Sequence, residues 1–199
     1  MLVNACEISR TYTDSMGRKI EAIRDINLQI KRGEFLGFVG PSGSGKSTLL
    51  NILGCLERVD QGTLEVDGQR INELHTRHIA NFRNATVGFV FQNFNLISAL
   101  TVRENIELPL LFSRKFGLQW RKQRVDELIE QVDLAAQADQ PSNLLSGGQM
   151  QRVAIARALV TGPKYILADE PTANLDHENS KRIMDLMRLS AISLVACFT

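Results

Sequence analysis

The chain has 199 residues, 44% hydrophobic and 23% charged, with a formal net charge of +1. That is enough for one ample core, or a core with a small subdomain, and the composition excludes a largely disordered chain. The near-neutral charge offers no global field for nucleic acid or an anionic surface, and no apolar run approaches the roughly 18 residues a membrane-spanning helix needs.

Taken from the N-terminus, Ile26, Leu28 and Ile30 alternate with Asn27, Gln29 and Lys31, the pattern of a half-buried strand. The turn Lys31–Glu34 leads into Phe35–Val39, which reads as a short buried strand. The run Gly40-Pro41-Ser42-Gly43-Ser44-Gly45-Lys46-Ser47 follows, and Thr48 onward predicts a helix over 46–56. Thr63–Val66 with Asp67-Gly68 reads as a strand and tight turn. A helix is predicted around 73–84, then an apolar strand over 87–91 that ends at Gln92. Thr101-Val102-Arg103-Glu104 is a capping box opening a helix toward Phe112, which Pro109 is expected to distort or end. Val125, Leu128, Ile129 and Val132 make 119–133 amphipathic. Leu145-Ser146-Gly147-Gly148-Gln149 opens a helix over 149–160. Tyr165–Ala168 is a strand ending on Asp169 and Glu170, where Pro171 stops it. Asp176 is placed to cap a helix running to about Arg188, and 192–198 reads as a last strand.

The stretch Gly40–Ser47 fits G-x-x-x-x-G-K-[ST], a loop that cradles phosphates. Strand, glycine loop and helix together aim backbone N–H groups at phosphate oxygens. The Lys46 ammonium can reach the β- and γ-phosphates, and the Ser47 hydroxyl can bind Mg²⁺. Asp169, at the end of an apolar strand, can hold Mg²⁺ through water, and Glu170 can polarise an attacking water as general base. Ser146, Gly147, Gly148 and Gln149 form a second helix start suited to an anion. One nucleotide does not need two such loops from one subunit. Two facing copies could use both, each nucleotide held between the phosphate loop of one and this segment of the other.

In the order and spacing of these segments the chain resembles the nucleotide-binding subunits of ABC transporters. Gly40–Ser47 is similar to Walker A, Gln92 to the Q-loop, Leu145–Gln149 to the signature, Tyr165–Glu170 to Walker B, and Ala173–Asp176 to the D-loop. The closer resemblance, carried by 50–54, 101–106 and 171–176, is to ATPase subunits of the lipoprotein-release and macrolide-export type. The fold it implies is α/β: a P-loop NTPase core with a mixed sheet, an N-terminal antiparallel β subdomain and a mainly helical signature subdomain. Residues 1–92 and 146–199 would form the core and 93–145 the helical part. The resemblance implies ATP and Mg²⁺ as ligands. Gly40, Pro41, Ser42, Gly43, Ser44, Gly45, Lys46, Ser47 and Thr48 would cradle the phosphates, and Tyr12 would stack on adenine. Ser146, Gly147, Gly148, Gln149 and Asp176 would complete the site of a second copy. Glu170, Gln92 and Lys46 would be catalytic, and Ser47, Gln92 and Asp169 would serve the metal.

The implied partners are a second copy packed head-to-tail and a membrane-spanning permease, with no nucleic acid. No secretory leader is evident at the N-terminus, and Cys6, Cys55 and Cys197 have neither metal nor disulfide spacing. The expected place is therefore cytoplasmic, peripheral at the inner face of the membrane. The basic stretch Arg114, Lys115, Arg121, Lys122 and Arg124 around Trp120 reads either as a solvated helix face or as a contact for headgroups or a permease loop. The family has a switch histidine after the strand that follows the D-loop helix. His75, His78 and His177 do not fall there, so the sequence reads as a truncated cassette expected to bind ATP–Mg²⁺ and hydrolyse it slowly. A non-hydrolysing ATP-binding remnant and an ABC-type ATPase acting on nucleic acid are the alternative readings.

Overall fold

The computed structural model describes residues 1–113, 115–171 and 193–198. Two four-stranded sheets form from the strands among these residues. In the first, β1 (Val3–Thr13) lies between β2 (Lys19–Ile30) and β4 (Gln61–Val66), antiparallel to both, and β5 (Gln69–Arg70) continues the sheet. The second is parallel, in the order β3 (Phe35–Val39), β8 (Ser193–Phe198), β7 (Tyr165–Asp169), β6 (Val87–Val90).

Parallel strands need long crossovers, and among the described residues five α-helices lie in the stretches between strands: α1 (Lys46–Leu53), α2 (Thr76–Thr86), α3 (Val102–Leu111), α4 (Leu118–Gln131) and α5 (Gly147–Leu159). Because strand side chains alternate between faces, the parallel sheet separates two cores. Ile166, Ala168, Leu194 and Ala196 join the cluster built with α3, α4 and α5. Tyr165, Leu167, Val195 and Cys197 join the cluster built with α1 and the antiparallel sheet. Gly88 on β6 approaches α5 closely. A Cβ there would sit 2.4 Å from the Ala158 carbonyl oxygen, so no larger residue fits without moving backbone.

Local expectations are met with instructive departures. Strand 35–39 forms, but it is not buried. Among the described residues it pairs with β8 alone, and Val39 is 81% exposed. The helix expected over 46–56 stops at Leu53, because Cys55 takes a left-handed φ of 55°. The buried Tyr165 hydroxyl donates to the Leu53 carbonyl at 2.6 Å, tying that helix end to β7. Pro109 does not end α3, which continues to Leu111. The proline costs about 3 kcal/mol, but burial of Val102, Ile106 and Leu110 contributes about 1.5–3 kcal/mol each and outweighs it. Val125, Leu128, Ile129 and Val132 are all buried, as their spacing predicts.

Candidate functional site

The register of the parallel sheet assembles the site. Val39 pairs with Phe198, Asp169 with Cys197, and Val90 with Ala168. The glycine loop, the two acidic residues and Gln92 therefore leave the sheet at the same edge, outside the carboxyl ends of its strands, where open α/β sheets bind ligands.

The loop 40–45 turns β3 into α1. Gly45 is the residue before the helix, with φ 87° and no side-chain cap. A Cβ on it would meet the Ala22 carbonyl oxygen at 2.5 Å, so both the left-handed backbone and the lack of space require glycine. The Lys46 ammonium folds back over the loop, donating to the Gly40 carbonyl at 2.6 Å and the Pro41 carbonyl at 2.9 Å. An ammonium has three donors. These two bonds fix its position and leave the third for an incoming oxygen.

The Ser47 hydroxyl donates to Asp169 Oδ2 at 3.1 Å, and Gln92 Nε2 donates to Glu170 Oε2 at 2.9 Å. Asp169 continues the strand, but Glu170 takes φ 47° and its N–H donates to the Cys197 carbonyl at 3.1 Å. This left-handed step turns the chain sharply between two adjacent carboxylates. Burial pushes the Cys197 thiol up to about 11, with the Asp169 carboxylate adding to the rise, so this thiol stays protonated and inert. Hydroxyl, carboxylate and side-chain amide oxygen are hard donors. The set Ser47, Asp169 and Gln92 fits Mg²⁺, which takes few protein oxygens and shares the rest with phosphates and water. Among the described residues no three His, Cys, Asp or Glu side chains cluster as a metal site.

The second anion-suited helix start is built differently. The Ser146 hydroxyl accepts from the Gln149 N–H at 3.3 Å, and the Gln149 side-chain oxygen accepts from the Ser146 N–H at 2.8 Å. This reciprocal capping box leaves the Gly147 and Gly148 N–H groups and the Ser146 O–H to point at a ligand. A Cβ on Gly147 would meet nothing within 4 Å.

A family profile for ABC transporter matches residues 23–173, most of the chain, including the glycine loop, Gln92, Ser146–Gln149 and Asp169-Glu170. The chain belongs to the ABC transporter ATP-binding family. It is 44% identical over 191 residues to an uncharacterized ABC transporter ATP-binding protein of Methanocaldococcus jannaschii, MJ0796, covering 94% of this chain and 80% of that one. It is 47% identical over 170 residues to a Thermotoga maritima ABC transporter ATP-binding protein, covering 85% of this chain and 72% of the relative. It is 42% identical over 189 residues to the macrolide export ATP-binding/permease protein MacB of Salmonella choleraesuis, where the match spans 94% of this chain and 28% of MacB. Among solved structures, the dimeric post-hydrolysis state of the MJ0796 cassette bound to ADP and Pi superimposes with a TM-score of 0.91 at 41% identity, covering 98% of this chain and 87% of that one. The chain is thus an ABC-type ATPase cassette, and its α/β fold is that of the family.

Within this cassette, contacts that the sequence did not announce hold the site together. Arg157 on α5 donates to the Phe94 and Asn95 carbonyls, both at 2.6 Å. Phe94 and Asn95 take φ 58° and 48°, so the guanidinium pins a strained turn two residues after Gln92. Burial lowers the pKa of Arg157. Buried Gln151, also on α5, donates to the Pro171 carbonyl at 2.8 Å, just beyond Glu170. Neither residue had a sequence signal, because a polar residue on an otherwise apolar helix face reads as ordinary surface.

Tyr12 lies at the end of β1 with its hydroxyl on Glu57 at 2.5 Å. In the basic stretch, Arg121 pairs with Glu107 on α3 at 3.7 Å, and Arg124 pairs with Glu127 at 3.6 Å and donates to the Leu159 carbonyl at 3.3 Å, so these two half-buried arginines tie α4 to its neighbours rather than forming a freely solvated face. Arg114, Asp176 and His177 lie outside the described residues. His75 and His78 form an edge-to-face pair at the start of α2.

Proposed function

We propose that this cassette binds ATP–Mg²⁺ between two head-to-tail copies, each nucleotide held by Gly40–Ser47 of one copy and Ser146–Gln149 of the other, and that closing and reopening drive a membrane permease. The observation that carries this reading is the paired contact at the sheet edge: Ser47 on Asp169 and Gln92 on Glu170. The first pair sets two oxygens beside the phosphate loop, which supports reading them as ligands. The second places the side-chain base next to a residue whose loop leads into 93–145.

In this reading Lys46 and the loop N–H groups bind the phosphates, and Gly147 and Gly148 of the facing copy complete the γ-phosphate contacts. Ser47, Asp169 and Gln92 would hold Mg²⁺, which would supply neutralisation of the phosphate charge. Glu170 takes the proton of the attacking water, with Gln92 orienting its carboxylate. Preorganised donors of this kind cost no reorganisation when charge develops. Tyr12 offers its ring to the base.

We read 93–145 as a helical unit set into the core. It carries α3 and α4, which pack on α5 and the face of the parallel sheet that presents Ile166 and Ala168. Motion at Gln92 passes through the turn pinned by Arg157 into this unit. Beside that turn an open, mostly apolar cavity of about 530 Å³ is lined by Phe89, Phe91, Leu108, Pro109, Phe112 and Arg157. Phe112 is 70% exposed there, and we place the permease contact in this cavity. No helix among the described residues is long and apolar enough to cross a membrane. A permease partner would therefore hold the cassette at the inner face of the membrane.

Light scattering of the chain and its Glu170→Gln variant with ATP–Mg²⁺, together with phosphate release, tests the composite site. ATP-dependent dimers in Glu170→Gln that vanish on adding Lys46→Ala are expected. ATP binding without any change of mass would overturn the shared site.

A further inference from the structure

Resting on the reading of Tyr12 as the platform for the base, we propose that Glu57 and Arg10 are positioning residues that set nucleotide affinity by holding the Tyr12 ring at the mouth of the phosphate loop. Tyr12 stands one residue from the end of β1, where a side chain is ordinarily free to change rotamer. Here it is tied on two sides. Its hydroxyl donates to Glu57 Oε2 at 2.5 Å and lies 3.5 Å from Thr48 Oγ1. The other Glu57 oxygen accepts from Asn51 Nδ2 at 3.2 Å. Thr48 and Asn51 both belong to α1, the helix that begins at Lys46. The ring edge is thus fastened to the same helix that presents its N-terminus to the phosphates, so base and phosphate contacts share α1 as a common reference.

Arg10 covers a face of the ring. Its guanidinium carbon lies 5.1 Å from the Tyr12 centroid, a cation–π contact. Its Nη1 donates to Asp60 Oδ1 at 2.7 Å and its Nε lies 3.5 Å from Glu57 Oε2. The second Asp60 oxygen accepts from the Thr11 N–H at 2.7 Å. Arg10 and Tyr12 are two apart on β1, and Asp60 immediately precedes β4, so two strands and α1 all meet at this ring. A guanidinium over one face directs a stacking base to the other.

A ring ordered in advance spares the base the cost of immobilising it. That saving corresponds to about two- to tenfold in affinity. It acts on nucleotides only, because inorganic tripolyphosphate carries no base.

Calorimetric titration with ATP–Mg²⁺ and with inorganic tripolyphosphate–Mg²⁺ tests this on the parent and on Tyr12→Phe, Tyr12→Ala, Glu57→Ala and Arg10→Ala. Tyr12→Phe keeps the ring and removes only the tether, so it stands if a bulkier change fails to fold. The expected result is about two- to tenfold weaker ATP binding in Tyr12→Phe and Glu57→Ala, no further loss when the two are combined, a loss in Arg10→Ala, and unchanged tripolyphosphate binding throughout. If Tyr12→Ala weakens ATP alone while Tyr12→Phe, Glu57→Ala and Arg10→Ala bind like the parent, the positioning role is overturned and the platform stands. If Tyr12→Ala binds ATP like the parent, the platform reading fails and this inference with it. Equal losses for both probes in Glu57→Ala would overturn the proposal in favour of a general role in shaping α1.

Discussion

The chain has two helix starts suited to phosphate, and they are built on opposite plans. At α1 the residue before the helix is Gly45, left-handed and without a side-chain cap, and Lys46 is tied back over the loop. At α5 the residue before the helix is Ser146, locked to Gln149 in a reciprocal box. The first start has no side chain of its own to satisfy its N–H groups and is shaped by its surroundings: Ala22 walls off Gly45, and Asp169 holds Ser47. The second satisfies most of its own needs and presents an open surface at Gly147. One start is made to grip a ligand within the chain. The other is a finished structural element with a few donors left over, the form that the proposed closure on a facing copy's nucleotide would call for.

That contrast can be broken by substitution, beginning with the largest effect. Glu170→Gln, beside the first start, should lower the rate of ATP hydrolysis by about 10²–10⁴, the range for a general base, while equilibrium titration shows ATP binding retained. Lys46→Ala should weaken ATP binding by about a hundredfold, near the loss of a charged hydrogen-bonding group at roughly 3 kcal/mol. The same titration on Ser146→Ala, at the second start, should show a far smaller change. Gly45→Ala should destabilise the fold by about 2–3 kcal/mol through overpacking and backbone strain, whereas Gly147→Ala should stay within about 0.5 kcal/mol in urea melts. Equal destabilisation of the two would erase the distinction. Ser146→Ala should cost about 1 kcal/mol, as should Thr101→Ala at the other capping box. Only Ser146→Ala should also weaken ATP-driven dimers when the two are compared by light scattering.

The same contrast explains what could be read from residue order. The loop 40–47, the acids 169 and 170 and the capping box at Thr101 follow local rules of spacing and stereochemistry, and each stands where its letters place it. Strand and helix positions set by periodicity also hold, because alternation and helical spacing record which side faces a core. What escaped is non-local. The exposure of Val39 depends on which strand flanks β3, and that strand lies far along the chain. The helix end at Leu53 depends on Cys55 and on the Tyr165 hydroxyl. The run of α3 through Pro109 depends on packing against α5. Arg157 and Gln151 act on backbone carbonyls of distant loops, and a carbonyl acceptor leaves no mark in the sequence.

The position of β8 carries a consequence for how the chain is made. Strand β3 ends at Val39, and its partner β8 begins at Ser193, inserted between β3 and β7. On the ribosome, β3 therefore emerges roughly 150 residues before the neighbour it pairs with, and β6 and β7 can pair without it. Until β8 arrives, two strand edges stand open at the centre of the sheet, and open edges invite pairing with other chains. Strand β8 works as a keystone: the nucleotide site lies at an edge that exists only after it has been set, so a nascent cassette cannot engage ATP in its finished form before Phe198 has been synthesised.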